Sequence, residues 1–518
     1  MEFDVIIRNG TVVDGTGEPA RKADVGIRGD RIEAVGDLRA ASAGDEIDAR
    51  DRLVSPGFID VHVHSEAQLA DAKNRMRYGS VLQGVTTHLT APDGFGWAPL
   101  DQAGAEQLWQ STLFANGKAD LSLNWPTAND YLAIFEGTTP VNMVPQVPHC
   151  AVRYGAMGWA PRPATDDELE TMRKSTREWL EAGAVALCLG LDYQPSAFSD
   201  TRELVELSKV AAEYDAVYSA HVRYNGIGRV NAWRETMEIS EQARIPVHIS
   251  HEHVTDETRP LLDEAAQRCD LSFESYLYPA GCTHLSLTLP IWAQAGGPDG
   301  IREMLKDPEK RDKVRAFLEE GRLARNASGD RAIFIDTPSG RYIGQTIEEL
   351  ADAEGIGVGD FAIRVLEEEH PYALMIYLRG TPPDELAQIN RDTIQHPAMM
   401  VASDGMYHGA TAHPRAFGCF AAVLRRDVRE TGAVSLEDAV RKMSGFPAER
   451  FRIRDRGLLK EGYGADVVIF DPETAADRAT WAEPRLEPVG FDRVMVNGQT
   501  VVVDGQPTDA LPGRVLRR

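Results

Sequence analysis

Between about residues 56 and 450 the chain alternates apolar, strand-like runs with helical stretches, the pattern of repeated βα units. Eight runs qualify as strands: "GFIDVHVH" (57–64), "VTTHLTAPD" (85–93), "CAVRYGAMG" (150–158), "AVALCLGL" (184–191), "AVYSAHVR" (216–223), "IPVHISHEH" (245–253), "LSFESYLYP" (271–279) and "AMMVASDG" (398–405). Helical stretches such as "DDELETMRKSTREWLEAG" and "TRELVELSKVAAEYD" separate several of them. Eight such units predict an α/β fold, a (β/α)8 TIM-like barrel, whose working face lies at the C-terminal ends of its strands. The gap from 285 to 396 is too long for one βα connection. Beyond the last barrel helix it is expected to hold an inserted lid or subdomain between strands seven and eight, since long ordered insertions are often functional. The first 55 residues and the tail from 455 to 518 read differently, as short period-two strands with Asn-Gly and Gly-Asp turns ("FDVIIRNGTVVDG", "VNGQTVVVDG"). Chain ends often meet in space. Residues 1–55 plus 455–518 are therefore expected to form one small β-sandwich domain beside a barrel over 56–454.

The strand ends carry the chemistry. Side chains two apart on a strand share a face, so His62 and His64 form a pair of nitrogen ligands. Strand two ends at Asp93, strand five reaches His221, strand six His251 and strand eight Asp404. Imidazole and carboxylate are natural ligands for zinc and similar divalent ions. A bound ion lowers the pKa of its water from about 15.7 toward about 7 and polarises a carbonyl. A carboxylate such as Asp404 can then take the proton and pass it to a leaving nitrogen. Such an arrangement hydrolyses amides, esters or cyclic amides without a serine nucleophile, and no GxSxG elbow is present.

Charge narrows the partners. A formal net charge of −25 disfavours nucleic acid and anionic membrane surfaces. The start "MEFDVIIRNG" places acids at Glu2 and Asp4 and does not read as a signal peptide, and no run approaches a bilayer span. Five scattered cysteines without a CxxC read as reduced thiols of a cytoplasmic protein. The expected partner is a small-molecule amide, with self-association left open.

The order of HxH on strand one, single histidines on strands five and six, and aspartate on strand eight resembles the amidohydrolase superfamily. Within it, the chain resembles the D-aminoacylase (N-acyl-D-amino-acid deacylase) family through "SPGFIDVHVH", "QGVTTHLTAPDGFGWAPL", "GLDYQPSAF", "SAHVRYNG", "VHISHEHV", "YPAGCT", "ASDGMYHGATAHPRAFGCF" and "RKMSGFPAERFRIRDRGLLKEGYGADVVIFDP". That resemblance implies metal-dependent cleavage of N-acyl amino acids, those of D configuration foremost. It implies His221 and His251 as tight zinc ligands, His62 and His64 as ligands of a second, weaker site, and Asp404 as the catalytic acid/base. It also implies Arg415 as the holder of the substrate carboxylate, with Tyr193 and Tyr278 lining the substrate pocket. A guanidinium suits that task because it grips a carboxylate through two parallel hydrogen bonds.

The chain departs from the family at one ligand. Where the family usually has "GNCG", with the cysteine on zinc, it reads "APDG", which puts Asp93 at the ligand position. A carboxylate can bind and bridge zinc ions, and its harder oxygen shifts preference toward metals such as Mn²⁺. The carboxylated lysine that bridges metals in other superfamily members has no counterpart, as no lysine lies between Lys174 and Lys209. Cys188 on strand four is an alternative ligand, read first as a buried small hydrophobe. His88, His248 and His253 are read as packing or supporting residues. The uncharged stretch "LSLTLPIWAQAGG" in the insertion points toward apolar substrates. Two other readings remain: a hydrolase of a cyclic amide, carbamate or other C–N bond, and a non-catalytic relative. The presence of all four histidines and Asp404 weighs against the second.

Overall fold

The structure, a computed structural model, describes residues 2–71, 73–74, 78–320, 331–369 and 372–518. Eight parallel strands pair in a closed ring. They are β1 (Phe58–Asp60, resumed at Val63–His64), β2 (Val85–Leu89), β3 (Asn142–Val144, resumed at Val147–Pro148) and β4 (Ala186–Gly190). The ring continues with β5 (Val217–His221), β6 (Val247–Ile249), β7 (Leu271–Ser275) and β8 (Met399–Val401, resumed at Gly405–Met406). Each pairs in parallel with the next, and β8 returns to β1 through Gly405↔Val63 and Met406↔His64. The Asp404 amide donates to the His62 carbonyl at 2.8 Å, which fastens the closing seam. The strands are buried along their whole length, as expected where helices cover the outside and side chains fill the inside.

The third strand is not where its apolar run predicts. Residues 150–158 fall in a helix, His149–Met157, and β3 lies upstream. An apolar run of this length does not distinguish a strand from a buried helix by periodicity. The true strand is short, interrupted at Pro145 and ended by Pro148, residues that count against a central strand. It still pairs on both sides, because the Val144 and Pro145 carbonyls accept from Thr90 and Val185.

The helices are conventional in their signals. The helix Asp166–Glu181, which precedes β4, starts with a capping box of Thr165 and Glu168 and buries Leu169, Met172, Thr176, Trp179 and Leu180. Pro383–Gln395 lies on the way into β8. Between β7 and that helix stands the insertion. An antiparallel sheet of Ala280–His284, Leu374–Leu378 and Arg331–Asp336 packs with four helices (Gly297–Leu305, Pro308–Glu320, Ile347–Glu354, Val358–Glu368) around an apolar cluster of its own, with Phe334, Phe361 and Met375 at its centre.

The chain ends meet. Leu53–Pro56 pairs antiparallel with Val467–Phe470 inside a seven-stranded sheet, and Glu2–Arg8 centres a second sheet of four strands. Ile7, Val25, Ile27, Val54, Val467 and Met495 pack in one cluster between them, giving the small β-sandwich. Among the described residues no helix is long and apolar enough to cross a membrane.

Candidate metal centre

Six residues from five strand ends, those of β1, β2, β5, β6 and β8, converge at one end of the barrel. His62 and His64, at the end of β1, are buried with ring centroids 5.5 Å apart. Asp93 arrives on a turn after β2 in which Ala91 (φ 56°) and Asp93 (φ 54°) are left-handed, a conformation that aspartate tolerates better than most residues. Gly94 completes the turn at φ 69°, where a Cβ would stand 2.6 Å from the Cys188 carbonyl on β4, so only glycine lets the turn sit this close. His221 ends β5, while His251 (φ 41°) and Asp404 (φ 45°) follow β6 and β8.

Asp93 is the hub. Its Oδ1 lies 3.6 Å from His62 Nε2 and 3.7 Å from both His221 Nδ1 and His251 Nε2, and its Oδ2 lies 3.7 Å from His64 Nε2. Asp404 Oδ1 is 3.4 Å from His64 Nε2 and 3.7 Å from His62 Nε2. Two donors, each about 2.1 Å from a tetrahedral zinc, stand roughly 3.4 Å apart, so these separations suit ligands that share ions. Two triads, His62–Asp93–His251 and His62–His64–Asp404, each bring three ligand atoms within 4.8 Å of one another. Cys188 belongs to neither.

Supporting carboxylates set which nitrogen faces inward. His62 Nδ1 is 2.9 Å from Glu274 Oε1, and His221 Nε2 is 3.1 Å from Asp192 Oδ2. An imidazole that gives one N–H to a carboxylate presents the lone pair of its other nitrogen to a metal. Glu274 also meets His248 Nε2 at 2.7 Å and accepts from the His251 amide at 2.9 Å. The inward atoms His62 Nε2, His64 Nε2 and Asp93 Oδ1 are buried and have no hydrogen-bond partner among the described residues. Buried polar atoms are almost always paired, and divalent ions held by the two triads would supply the partners these atoms lack. The donor set fits a divalent ion.

Electrostatics keep both acids ionised. Burial alone raises the Asp404 carboxyl, but Arg415 and His64 outweigh it and hold it at about 2. Asp93 is also fully buried, yet the imidazoles around it hold it well below the usual carboxylate range.

A cavity of about 590 Å³ opens above the centre, with His221, His251 and Asp404 in its lining. Tyr193 lines it too, its ring 4.8 Å from that of His221. Arg415 is fully buried behind the wall, its Nη2 2.8 Å from Asp404 Oδ2 and its guanidinium 4.3 Å over the Tyr276 ring. Tyr278 does not reach the cavity; it packs on His413 at 5.4 Å, and Tyr276, two residues earlier, takes the wall. His88 sits between the Ser65 and Ser80 hydroxyls at 2.8 Å each, and His253 meets Ser275 at 3.2 Å, both away from the ligand triads.

The amidohydrolase family pattern matches residues 45–267 and 314–502. This chain belongs to that family. Along its whole length this amidohydrolase is 34% identical to the D-aminoacylase of Alcaligenes xylosoxydans xylosoxydans, covering 98% of that protein. An N-acyl-D-glutamate deacylase of Bordetella bronchiseptica, solved with zinc and a phosphonate mimic of the tetrahedral intermediate, matches at TM-score 0.82 and 32% identity over 100% of both chains. A D-aminoacylase studied for its binuclear metal centre, with one-metal activation and second-metal attenuation, matches at TM-score 0.82 and 33% identity, also over 100% of both chains.

Asp192, Glu274 and Tyr276 escaped the sequence reading. Glu274 left a trace, since an acid inside the apolar run "LSFES" is costly unless paired. Asp192 adjoins Tyr193 in "GLDYQP", but its partner His221 is on another strand, which no spacing reveals.

Proposed function

We propose that this amidohydrolase cleaves the amide bond of N-acyl amino acids of D configuration, releasing a carboxylate and a free amino acid. His62, His64, Asp93, His221 and His251 hold zinc or a similar divalent ion. The observation that carries the reading is an ionised carboxylate, Asp404, set between those imidazoles and a buried arginine at the floor of a ligand-sized cavity. When bound, the ion lowers the pKa of a water toward about 7 and polarises the scissile carbonyl. Asp404 accepts the proton of the attacking water and delivers it to the leaving nitrogen, so that the amine departs neutral.

Arg415 is assigned the α-carboxylate, which would have to reach it past Asp404, because Arg415 lies behind the cavity wall and not in its lining. Its side-chain nitrogens are buried without a hydrogen-bond partner among the described residues, because the 2.8 Å approach to Asp404 is an ion contact without hydrogen-bond alignment. A substrate carboxylate supplies the acceptors that a guanidinium requires. Tyr193 and Tyr276 flank the substrate. The segment 285–396 contains a lid or subdomain ahead of the helix Pro383–Gln395, beside the barrel of 56–454, and the sandwich of 1–55 and 455–518 forms its own domain.

The test is release of free amine by the metal-loaded protein from matched N-acetyl D- and L-amino acids. Turnover of the D series and not the L series is the expected result. Ring opening of cyclic amides with no amine from any N-acyl amino acid would replace this reading with the cyclic-amide one.

A further inference from the structure

The cavity wall holds two cations, Arg229 and Arg379, and they are not equivalent. Arg229 is already neutralised. Its Nη1 donates to both oxygens of Glu252 at 2.6 Å, its Nε lies 3.4 Å from Glu257, and its guanidinium stacks on Tyr224 at 4.8 Å. Arg379 follows the lid strand Leu374–Leu378 and is anchored by its backbone, whose N–H donates to the Pro279 carbonyl at 3.1 Å. Its side chain is exposed and forms no ion pair with any described residue. Tyr276 lies in the field of both Arg379 and Arg415, whose charges each favour its phenolate against the dominant effect of burial. One cation therefore sits deep beside Asp404 and the other on the lid side of the same tyrosine.

The remaining wall is polar: Tyr224, Asn225, Tyr276, Thr283 and Tyr377. Of the apolar insertion segment "LSLTLPIWAQAGG", Leu287 alone reaches the lining, so the aliphatic pocket that the segment promised is absent from it. A chain of net charge −25 repels anionic substrates, and a free guanidinium at the cavity offsets that locally. Arg415 accounts for one carboxylate, which leaves Arg379 without an assigned acceptor.

Resting on the deacylase reading above, we propose that the substrate carries a second carboxylate in addition to its α-carboxylate, and that Arg379 binds it. An N-acyl amino acid with an acidic side chain has this chemistry, and so does a neutral amino acid bearing a dicarboxylic acyl group.

Near-isosteric substrate pairs test the proposal on the metal-loaded full chain. The measurement is kcat/KM for N-acetyl-D-glutamate against N-acetyl-D-glutamine, and for N-succinyl-D-leucine against its neutral monoamide N-succinamoyl-D-leucine, in wild type and in Arg379→Gln. At least one acidic member is expected to exceed its neutral counterpart by about 10–100-fold, the worth of one charge-assisted contact. Arg379→Gln is expected to collapse that ratio toward unity, mostly through KM. A preference in the first pair places the second carboxylate on the side chain, and a preference in the second pair places it on the acyl group. Neutral substrates turned over as well as acidic ones, or a preference that survives Arg379→Gln, overturns the proposal while leaving the deacylase reading intact. No turnover of any N-acyl amino acid overturns both.

Discussion

Asp404→Asn is expected to lower kcat by about 10²–10⁴-fold, the usual contribution of a positioned acid/base, while the protein keeps its fold and its metal. The substitution preserves shape but removes the negative charge that faces His62, His64 and Arg415. The amide cannot take a proton from water, so the relay to the leaving nitrogen is lost. Ligand atoms from Asp93, His221 and His251 do not depend on it, so the core of the metal site survives. Single-turnover amine release together with elemental analysis checks both halves of the statement. A variant that keeps its metal and stays within about tenfold of wild type would contradict the assignment of Asp404 as the proton carrier.

Asp93→Ala is the second large effect, and it falls on the metal rather than on the proton. Asp93 is the only carboxylate that approaches all four imidazoles in the described structure. Without it, the remaining carboxylate, Asp404, approaches only His62 and His64, and His221 and His251 lose the anion they share with them. Loss of a mere supporting partner already costs about 10–100-fold in metal affinity, so loss of this direct ligand is expected to cost more than about 100-fold. Asp93→Cys separates charge from softness. It keeps an anionic ligand while replacing oxygen by thiolate, and is expected to shift competitive loading from Mn²⁺ toward Zn²⁺. Metal content after equilibration with both ions reads this directly. Equal loading of wild type and Asp93→Ala would show that the imidazoles suffice.

Much of the site was legible because strand alternation and strand ends are local properties. HxH at 62–64 declares itself through period two, and Asp93, His221, His251 and Asp404 each close an apolar run. Counting such runs predicts the barrel, while β3 hides because its strand is broken at Pro145 and a buried helix imitates one. What the sequence concealed is relational. Glu274 orients His62 from a strand more than two hundred residues away, and Asp192 orients His221 across a neighbouring strand end. Tyr276 rather than Tyr278 faces the cavity because the chain leaves regular strand geometry after Ser275, so alternation no longer predicts direction. Arg379 reaches the cavity wall through the pairing of Leu374–Leu378 with Ala280–His284, a contact between distant segments that no local pattern shows.

The proposed chemistry requires a metal where the ends of β1, β2, β5 and β6 meet. The most direct measurement is the metal content of the purified protein by elemental analysis, before chelation, after chelation and after repletion with zinc or manganese. One or two divalent ions per chain, removed by chelation and regained on repletion, is the predicted result. A protein that stays metal-free after repletion, with its fold intact, would contradict it.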